Sequence, residues 1–167
     1  GDLVIIDPNN GDVLAMVSIK NGSANNLSAI TTPYEPGSTL KPFTVAALLS
    51  SGLVSWADTV DTGSGSWEVN RRTIHDVHPE GGLMSLAHAL QISSNVGIAK
   101  AAQVLTPSQQ YEALRDFGFG VPTGIRLPGE GRGMLRRPEK WGSQSPVSLA
   151  IGYEMSVTPL QMAMAYG

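Results

Sequence analysis

Cysteine is absent from the 167-residue chain, and with it disulfides, thiolate metal sites and any cysteine nucleophile. Charge is scarce as well. Asp, Glu, Lys and Arg make up 15% of the residues, below the ~25% of an ordinary soluble domain. The balance of 11 basic against 14 acidic side chains leaves a net charge of −3. Without a basic stripe there is no electrostatic footprint for nucleic acid. No apolar run approaches the ~20 residues that span a bilayer, and no segment reads as a signal peptide. What is present suffices for a packed domain. Hydrophobic residues are 41% of the chain, and a chain of this size buries close to ~70% of its unfolded surface. Disorder is disfavoured, since low hydrophobicity and high net charge are both missing. The chain opens without methionine on the strand-like Leu3-Val4-Ile5-Ile6 and stops at Ala163-Met164-Ala165-Tyr166-Gly167 within a helical pattern. The expectation is one domain over residues 1–167, cut from a longer protein.

Leu3–Asp7 and Val13–Ser18 are β-favouring runs joined by Pro8-Asn9-Asn10-Gly11, and Asn-Gly between apolar runs is a strong hairpin signal. Lys20–Asn26 reads as a loop. A helix is expected to start near Ser38, run through Leu49 and stop at Gly52, with Pro42 tolerated in its first turn. Asp58–Gly82 reads as loop with short hairpin pieces. Ser85 is an N-cap for a helix over Leu86–Ile92, and Val96–Leu105 is a further helix. Thr106-Pro107 and Thr158-Pro159 each pair a cap with proline at the first helical position. The first of these helices ends at Gly118, and a proline- and glycine-rich irregular stretch follows to Gly142. Strands precede helices without βαβ alternation, which predicts an α+β fold.

Chemistry is concentrated in Glu35-Pro36-Gly37-Ser38-Thr39-Leu40-Lys41-Pro42-Phe43. Ser38 and Lys41 are three apart at a helix start, with Cβ atoms ~5–6 Å apart. Serine is a poor nucleophile until a neighbouring base takes its proton, and lysine is that base only when neutral. Bringing a lysine from ~10.4 to near 7 disfavours its charge by ~4.6 kcal/mol. Burial and the positive end of the helix dipole both act in that direction, and the helix N–H groups can stabilise an oxyanion beside Ser38. The arrangement suits acyl transfer. The competing reading makes Ser38 an N-cap and Lys41 a solvated charge.

A second cluster, Gln91-Ile92-Ser93-Ser94-Asn95-Val96-Gly97, sets hydroxyl and amide groups between two helices. Ser93 could relay a proton there, and the Asn95 amide could donate to and accept from a peptide-like substrate. The plainer alternative is that Ser94 or Asn95 caps the helix at Val96. Another Ser-x-Asn, Ser23-Ala24-Asn25, is assigned to a loop without function.

These segments resemble the transpeptidase domain of penicillin-binding proteins, most closely the monofunctional (class B) type of cell division and elongation. Tyr34-Glu35-Pro36-Gly37-Ser38-Thr39-Leu40-Lys41-Pro42-Phe43-Thr44 is similar to the family's nucleophile motif, and Ser93-Ser94-Asn95-Val96-Gly97 to its second motif. Gly152-Tyr153 with Val157-Thr158-Pro159-Leu160-Gln161 resembles the approach to the third. Asp7-Pro8 through Gly11 and Leu14-Ala15-Met16 resembles the opening hairpin. No Lys-Thr-Gly or Lys-Ser-Gly occurs, and the link from the hairpin to Ser38 is shorter than usual in the family. The expectation is a chain truncated before the third motif, with its activity in the absence of that motif left open.

The resemblance implies a penicillin-binding protein/β-lactamase-like fold, with an antiparallel sheet packed against helices. It also implies a peptidoglycan D,D-transpeptidase in which Ser38 attacks a D-Ala-D-Ala stem peptide and Lys41 activates it. Ser93 would pass the proton to the leaving amine and Asn95 would orient the acyl chain. β-Lactams would acylate Ser38. No metal or organic cofactor is implied. The implied location is the extracytoplasmic (periplasmic) face of the cell membrane, through an N-terminal anchor, with divisome or elongasome membrane proteins as partners. Two rivals are carried. One is a bifunctional penicillin-binding protein or β-lactamase-type serine hydrolase, and the other a non-catalytic sensor module.

Elsewhere, His75-Asp76-Val77-His78 has three potential metal ligands but no signposted fourth; the resemblance places this stretch ahead of the second motif and implies that Asp76 organises its loop. His88 is expected to be a partly buried structural residue. Arg132, Arg136, Arg137 and Lys140 are expected to be solvated. Trp56, Trp67 and Trp141 could each be core, with Trp67 a candidate cleft wall, and Met155, Met162 and Met164 are expected to fill core.

Overall fold

A computed structural model of the chain describes residues 1–24 and 27–167; Asn25 and Asn26, which end the expected loop and the second Ser-x-Asn, lie outside the described residues. Two compact units emerge, one from residues 1–35, 115–135 and 155–167, the other from residues 36–114 and 136–154.

The first unit contains the expected hairpin. Strand β1 (Asp2–Ile6) pairs antiparallel with β2 (Val13–Ser18) from Asp2 opposite Ser18 to Ile6 opposite Val13, with a bulge between Ile5 and Ile6. Asp7 builds the connecting turn, its carboxylate accepting from the backbone and side-chain N–H of Asn9, both at 2.9 Å. Gly11 closes it at φ +77°, a left-handed conformation that costs glycine nothing. Helix α1 (Ser28–Thr31), which no sequence signal announces, packs on this hairpin.

The last helix of the same unit (Pro159–Tyr166) starts as expected. Thr158 Oγ1 accepts from Gln161 N while Gln161 Oε1 accepts from Thr158 N, a complete capping box. The amide of Gln161 reaches further, donating to the carbonyls of Val121 and Arg132 and so tying down the irregular stretch. Ile30, Phe119, Met155, Val157 and Leu160 form the buried interior of this unit. Met162 is buried with them, whereas Met164 is only half-buried.

In the second unit the expected helix divides. A 3₁₀ turn (Gly37–Leu40) leads into α2 (Lys41–Ser50), with Pro42 in the first turn and Gly52 just past the end at φ +69°. The Asp58–Gly82 stretch holds three short strands, and a fourth follows it. Strand β3 (Thr59–Asp61) pairs with β6 (Leu83–Ser85), and β4 (Ser66–Val69) with β5 (Arg72–His75), all antiparallel. The β4–β5 turn places Asn70 and Arg71 at φ +50° and +66°. Helix α3 (Leu86–Gln91) is capped by Ser85, α4 (Asn95–Ala101) by Ser94, and α5 (Pro107–Asp116) follows Thr106. Helix α6 (Ser145–Ala150) was not expected from sequence. Numbered in this order, the final helix of the first unit is α7.

The core of the second unit is continuous through Val45 and Leu48 of α2, Ala89 of α3, Val96, Ile98 and Ala99 of α4, and Val147 of α6. Each fully buried valine, leucine or isoleucine of this set contributes ~1.5–3 kcal/mol. Gly97 allows α3 and α4 to approach closely, because a Cβ there would stand 2.9 Å from the Ala89 methyl. The fold is α+β, as expected. Its strands form three separate two-stranded ladders rather than one sheet among the described residues.

Candidate active site

The 3₁₀ turn governs the relation between Ser38 and Lys41. Residues three apart eclipse in a 3₁₀ helix, and here the Lys41 N–H donates directly to the Ser38 carbonyl. Ser38 is exposed and caps nothing; the residues at the two helix starts, Pro36 and Leu40, offer no side-chain cap either. The alternative of a capping serine is therefore overturned. So is that of a solvated lysine, since Lys41 is 1% exposed, among the most completely buried large side chains in the chain.

Lys41 Nζ donates to the carbonyl of Ser93 at 2.5 Å and to its hydroxyl at 3.0 Å. A neutral amine has two N–H bonds and one lone pair. Both N–H bonds are then spent on Ser93, and the lone pair remains for the hydroxyl proton of a neighbour. Burial pushes the ammonium down from 10.5 to about 8, and the carboxylate of Asp76 partly opposes it. At pH 7 roughly a tenth of the molecules hold a neutral Lys41.

Ser93 reaches Lys41 through the way α3 ends. The N–H of Ser93 bonds to the Leu90 carbonyl and the N–H of Ser94 to the Ala89 carbonyl, at 3.0 and 2.8 Å. This is a Schellman motif, which calls for a left-handed residue at the position Ser93 occupies. Glycine is usual there, yet Ser93 adopts φ +58°, at a cost of ~1–2 kcal/mol for a side chain in this region. The strained residue is the one whose carbonyl and hydroxyl both face the lysine, the kind of place where such strain persists.

Ser94 and Asp76 then lock the turn. Ser94 Oγ accepts from Gly97 N at 2.8 Å, capping α4, and donates to Asp76 Oδ2 at 2.9 Å. Asp76 Oδ1 accepts from Val96 N at 2.9 Å. Thus Ser94 is the cap and Asn95 is not; the Asn95 amide donates to the His75 carbonyl at 2.8 Å. Asp76 organises its loop as expected, and among the described residues no group of three or more His, Asp or Glu side chains could hold a metal ion. Spacing alone would not have identified Asp76 as part of this site; its carboxylate precedes the second motif by many residues and joins it only in space.

The remaining sequence candidates lie elsewhere. His88 is partly buried, as expected; its Nε2 lies 2.6 Å from Glu80 Oε2, and that carboxylate holds its pKa above the ordinary value. Trp67 packs beneath Lys100, whose Nζ lies 5.6 Å from the ring centroid, and is half-buried against the core of this unit. Trp56 is half exposed. Trp141 donates to the Arg136 carbonyl. Of the basic cluster, Arg136 is paired with Glu154 at 2.8 Å. A cavity of about 470 Å³ lined by Val54, Val60, Leu86 and Val104 includes neither Ser38 nor Lys41.

The family model of the penicillin binding protein transpeptidase domain matches residues 1–167. The chain is 32% identical to the probable peptidoglycan D,D-transpeptidase PbpC of Pseudomonas aeruginosa, over 99% of its own length and 31% of that protein. It is 35% identical to peptidoglycan D,D-transpeptidase FtsI of Escherichia coli K12, over 99% of its length and 29% of that protein. It therefore spans about a third of these curated relatives. Among solved structures, the transpeptidase domain of Burkholderia pseudomallei penicillin-binding protein 3 superposes with a TM-score of 0.89 at 29% identity, covering 98% of this chain and 47% of that one. Penicillin-binding protein 3 of Mycobacterium tuberculosis, solved in complex with aztreonam, gives 0.86 at 32% identity, covering 98% and 39%.

Proposed function

The chain belongs to the penicillin-binding protein transpeptidase family, and from that membership we propose that its parent protein is a serine-type peptidoglycan D,D-transpeptidase with Ser38 as nucleophile. The observation that carries the reading is the buried, hydrogen-bonded Lys41, lowered to about 8, one 3₁₀ turn after an exposed serine. The names of its relatives and the aztreonam bound to the Mycobacterium protein support it.

In this mechanism the Ser38 oxygen attacks the carbonyl carbon of the penultimate D-Ala of a stem peptide while its proton passes to the Lys41 lone pair. The tetrahedral intermediate collapses as the amide C–N bond breaks. The proton travels from Lys41 through the Ser93 hydroxyl to the departing D-Ala amine. The resulting ester is attacked by an amine of a second stem peptide, and the same groups run the proton backwards. Asn95, anchored through one N–H on His75, keeps its carbonyl and second N–H for the acyl chain. A β-lactam enters the first half of this cycle, its ring amide taking the place of the peptide bond.

Among the described residues no helix is long and apolar enough to cross a membrane. The proposed place of work is nevertheless the outer face of the cytoplasmic membrane, where the substrate is, beside the membrane proteins of division or elongation. The test is intact-mass analysis after incubation with a penicillin, beside a Ser38→Ala control. One stoichiometric adduct, lost in the control and stable for hours, is expected. An adduct that hydrolyses within seconds would indicate a β-lactamase, and a folded protein that takes up no penicillin would refute acylation at Ser38.

A further inference from the structure

The mechanism leaves one unusual cluster unused, at the far end of α6. Gly152 N donates to the Leu149 carbonyl at 3.1 Å and Tyr153 N to the Ser148 carbonyl at 2.9 Å, so α6 also ends in a Schellman motif with Gly152 at φ +85°. The Gly152 carbonyl accepts from Gly37 N at 2.9 Å, immediately before Ser38. The approach is as close as backbones allow: a Cβ on Gly152 would stand 2.0 Å from the Gly37 carbonyl oxygen. Thr44 adds a second strap, its hydroxyl donating to the Ala150 carbonyl at 2.9 Å. The turn that ends α6 is therefore the floor on which the nucleophile turn rests.

Glu154 follows that floor by two residues and is itself left-handed, at φ +59°. Seven of the other ten left-handed positions in this unit are glycine, for which the conformation costs nothing; Asn70 and Arg71 lie in the β4–β5 turn, and Ser93 is the third exception. Its carboxylate supplies a reason for the strain to persist. Glu154 Oε2 accepts from Arg136 Nη2 at 2.8 Å and from the hydroxyl of Ser145 at 2.6 Å. Ser145 is the first residue of α6, 2% exposed, and its oxygen also receives the Gly142 N–H at 3.0 Å. One side chain thus reaches from just beyond the last turn of α6 back to its first. A strained backbone fixed by several side-chain bonds is over-determined, and such sites cluster where geometry serves function.

We propose that Glu154 is a positioning residue for Ser38, its carboxylate holding the Gly152 carbonyl beneath the Gly37 N–H and so fixing the nucleophile turn. The inference rests on the acyl-transfer reading for its kinetic consequence, though not for its structural one. The decisive variant is Glu154→Gly, in which the strain argument and the positioning argument have opposite signs. Glycine relieves the backbone while the buried Ser145 hydroxyl loses its acceptor, so the two effects offset and the thermal midpoint changes little. Loss of the carboxylate frees the floor, so the acylation rate by a penicillin falls at least tenfold while reversible binding changes little. Hydrogen exchange of the segment containing Gly37, followed by mass spectrometry, quickens in parallel.

Arg136→Gln should reproduce part of the rate loss, and the double variant should be no slower than Glu154→Gly alone, since both remove one clamp. All measurements are made on the full-length protein. Acylation of Glu154→Gly at the wild-type rate, or a rate lost only in step with a fallen thermal midpoint, would overturn the proposal. If the wild type takes no penicillin at Ser38, the acyl-transfer reading fails on its own. The exchange of Gly37 then decides the positioning claim: quickened in Glu154→Gly it stands, unchanged it falls.

Discussion

Replacing Lys41 by methionine separates the cost of a buried ammonium from the benefit of its hydrogen bonds. Lysine titrates near 10.5 when unfolded and at about 8 in this site, and that gap is worth about 3 kcal/mol of stability. Its sign follows from proton counting. Between about pH 8 and 10.5 the unfolded chain holds more protons at this residue than the folded one, so wild-type stability rises with pH across that window. Below pH 8 the penalty is present in full, and above 10.5 it is gone. Methionine has a similar unbranched reach and carries no charge, so Lys41→Met escapes the penalty at neutral pH. It also leaves the Ser93 carbonyl and hydroxyl without the amine, a loss of about 1–3 kcal/mol that does not depend on pH. The two contributions separate in a plot of variant-minus-wild-type stability against pH. Urea midpoints at pH 7, 8, 9, 10 and 10.5 should show that difference falling by about 3 kcal/mol from pH 8 to 10.5. A flat difference, within about 1 kcal/mol, would refute the claim that Lys41 is held partly neutral by burial. The same titration governs wild-type acylation, expected to rise about tenfold per pH unit below pH 8 and to level above it.

Two further predictions concern the groups around this lysine. Ser93→Gly removes a side chain from φ +58° and should raise stability by up to about 1 kcal/mol, read from thermal unfolding. Its acylation rate should still fall by about 100-fold because the proton relay is gone, and a variant of unchanged rate would remove Ser93 from the mechanism. Asp76→Asn withdraws the charge that raises the Lys41 pKa, so the acid limb of the acylation profile should move below pH 8. The loss of charge from its hydrogen bonds to Ser94 and Val96 should cost about 1–3 kcal/mol in stability. A limb that stays in place would mean the Asp76 charge does not reach Lys41.

Much of the fold was legible because its signals are local. Asn9-Asn10-Gly11 between two β-favouring runs specifies a hairpin, and Ser85, Thr106 and Thr158 mark helix starts because a cap acts within three residues. Helix α6 was not legible, since six residues offer too short a window for periodicity; Val147, Leu149 and Ala150 are helical because the surrounding core buries them. The same length limit hides α1. Which strands pair between Thr59 and Ser85 was not legible, because short β-favouring runs do not state which strands they will meet.

The candidate site divides along the same line. Sequence determined that Ser38 and Lys41 share one turn, because three residues of chain leave them nowhere else to go. It also presented Ser93 and Asn95 as candidates, through a motif read by resemblance. Tertiary structure alone decided the rest: that Lys41 is sealed from water, that Ser93 turns left-handed to meet it, that Asp76 holds the second motif, and that Gly152 and Glu154 carry the floor under Gly37. The physical reason is that desolvation, Coulomb attraction and steric contact depend on distance in space. Ser38 and Gly152, or Lys41 and Ser93, are separated along the chain by whole elements whose packing no local pattern specifies.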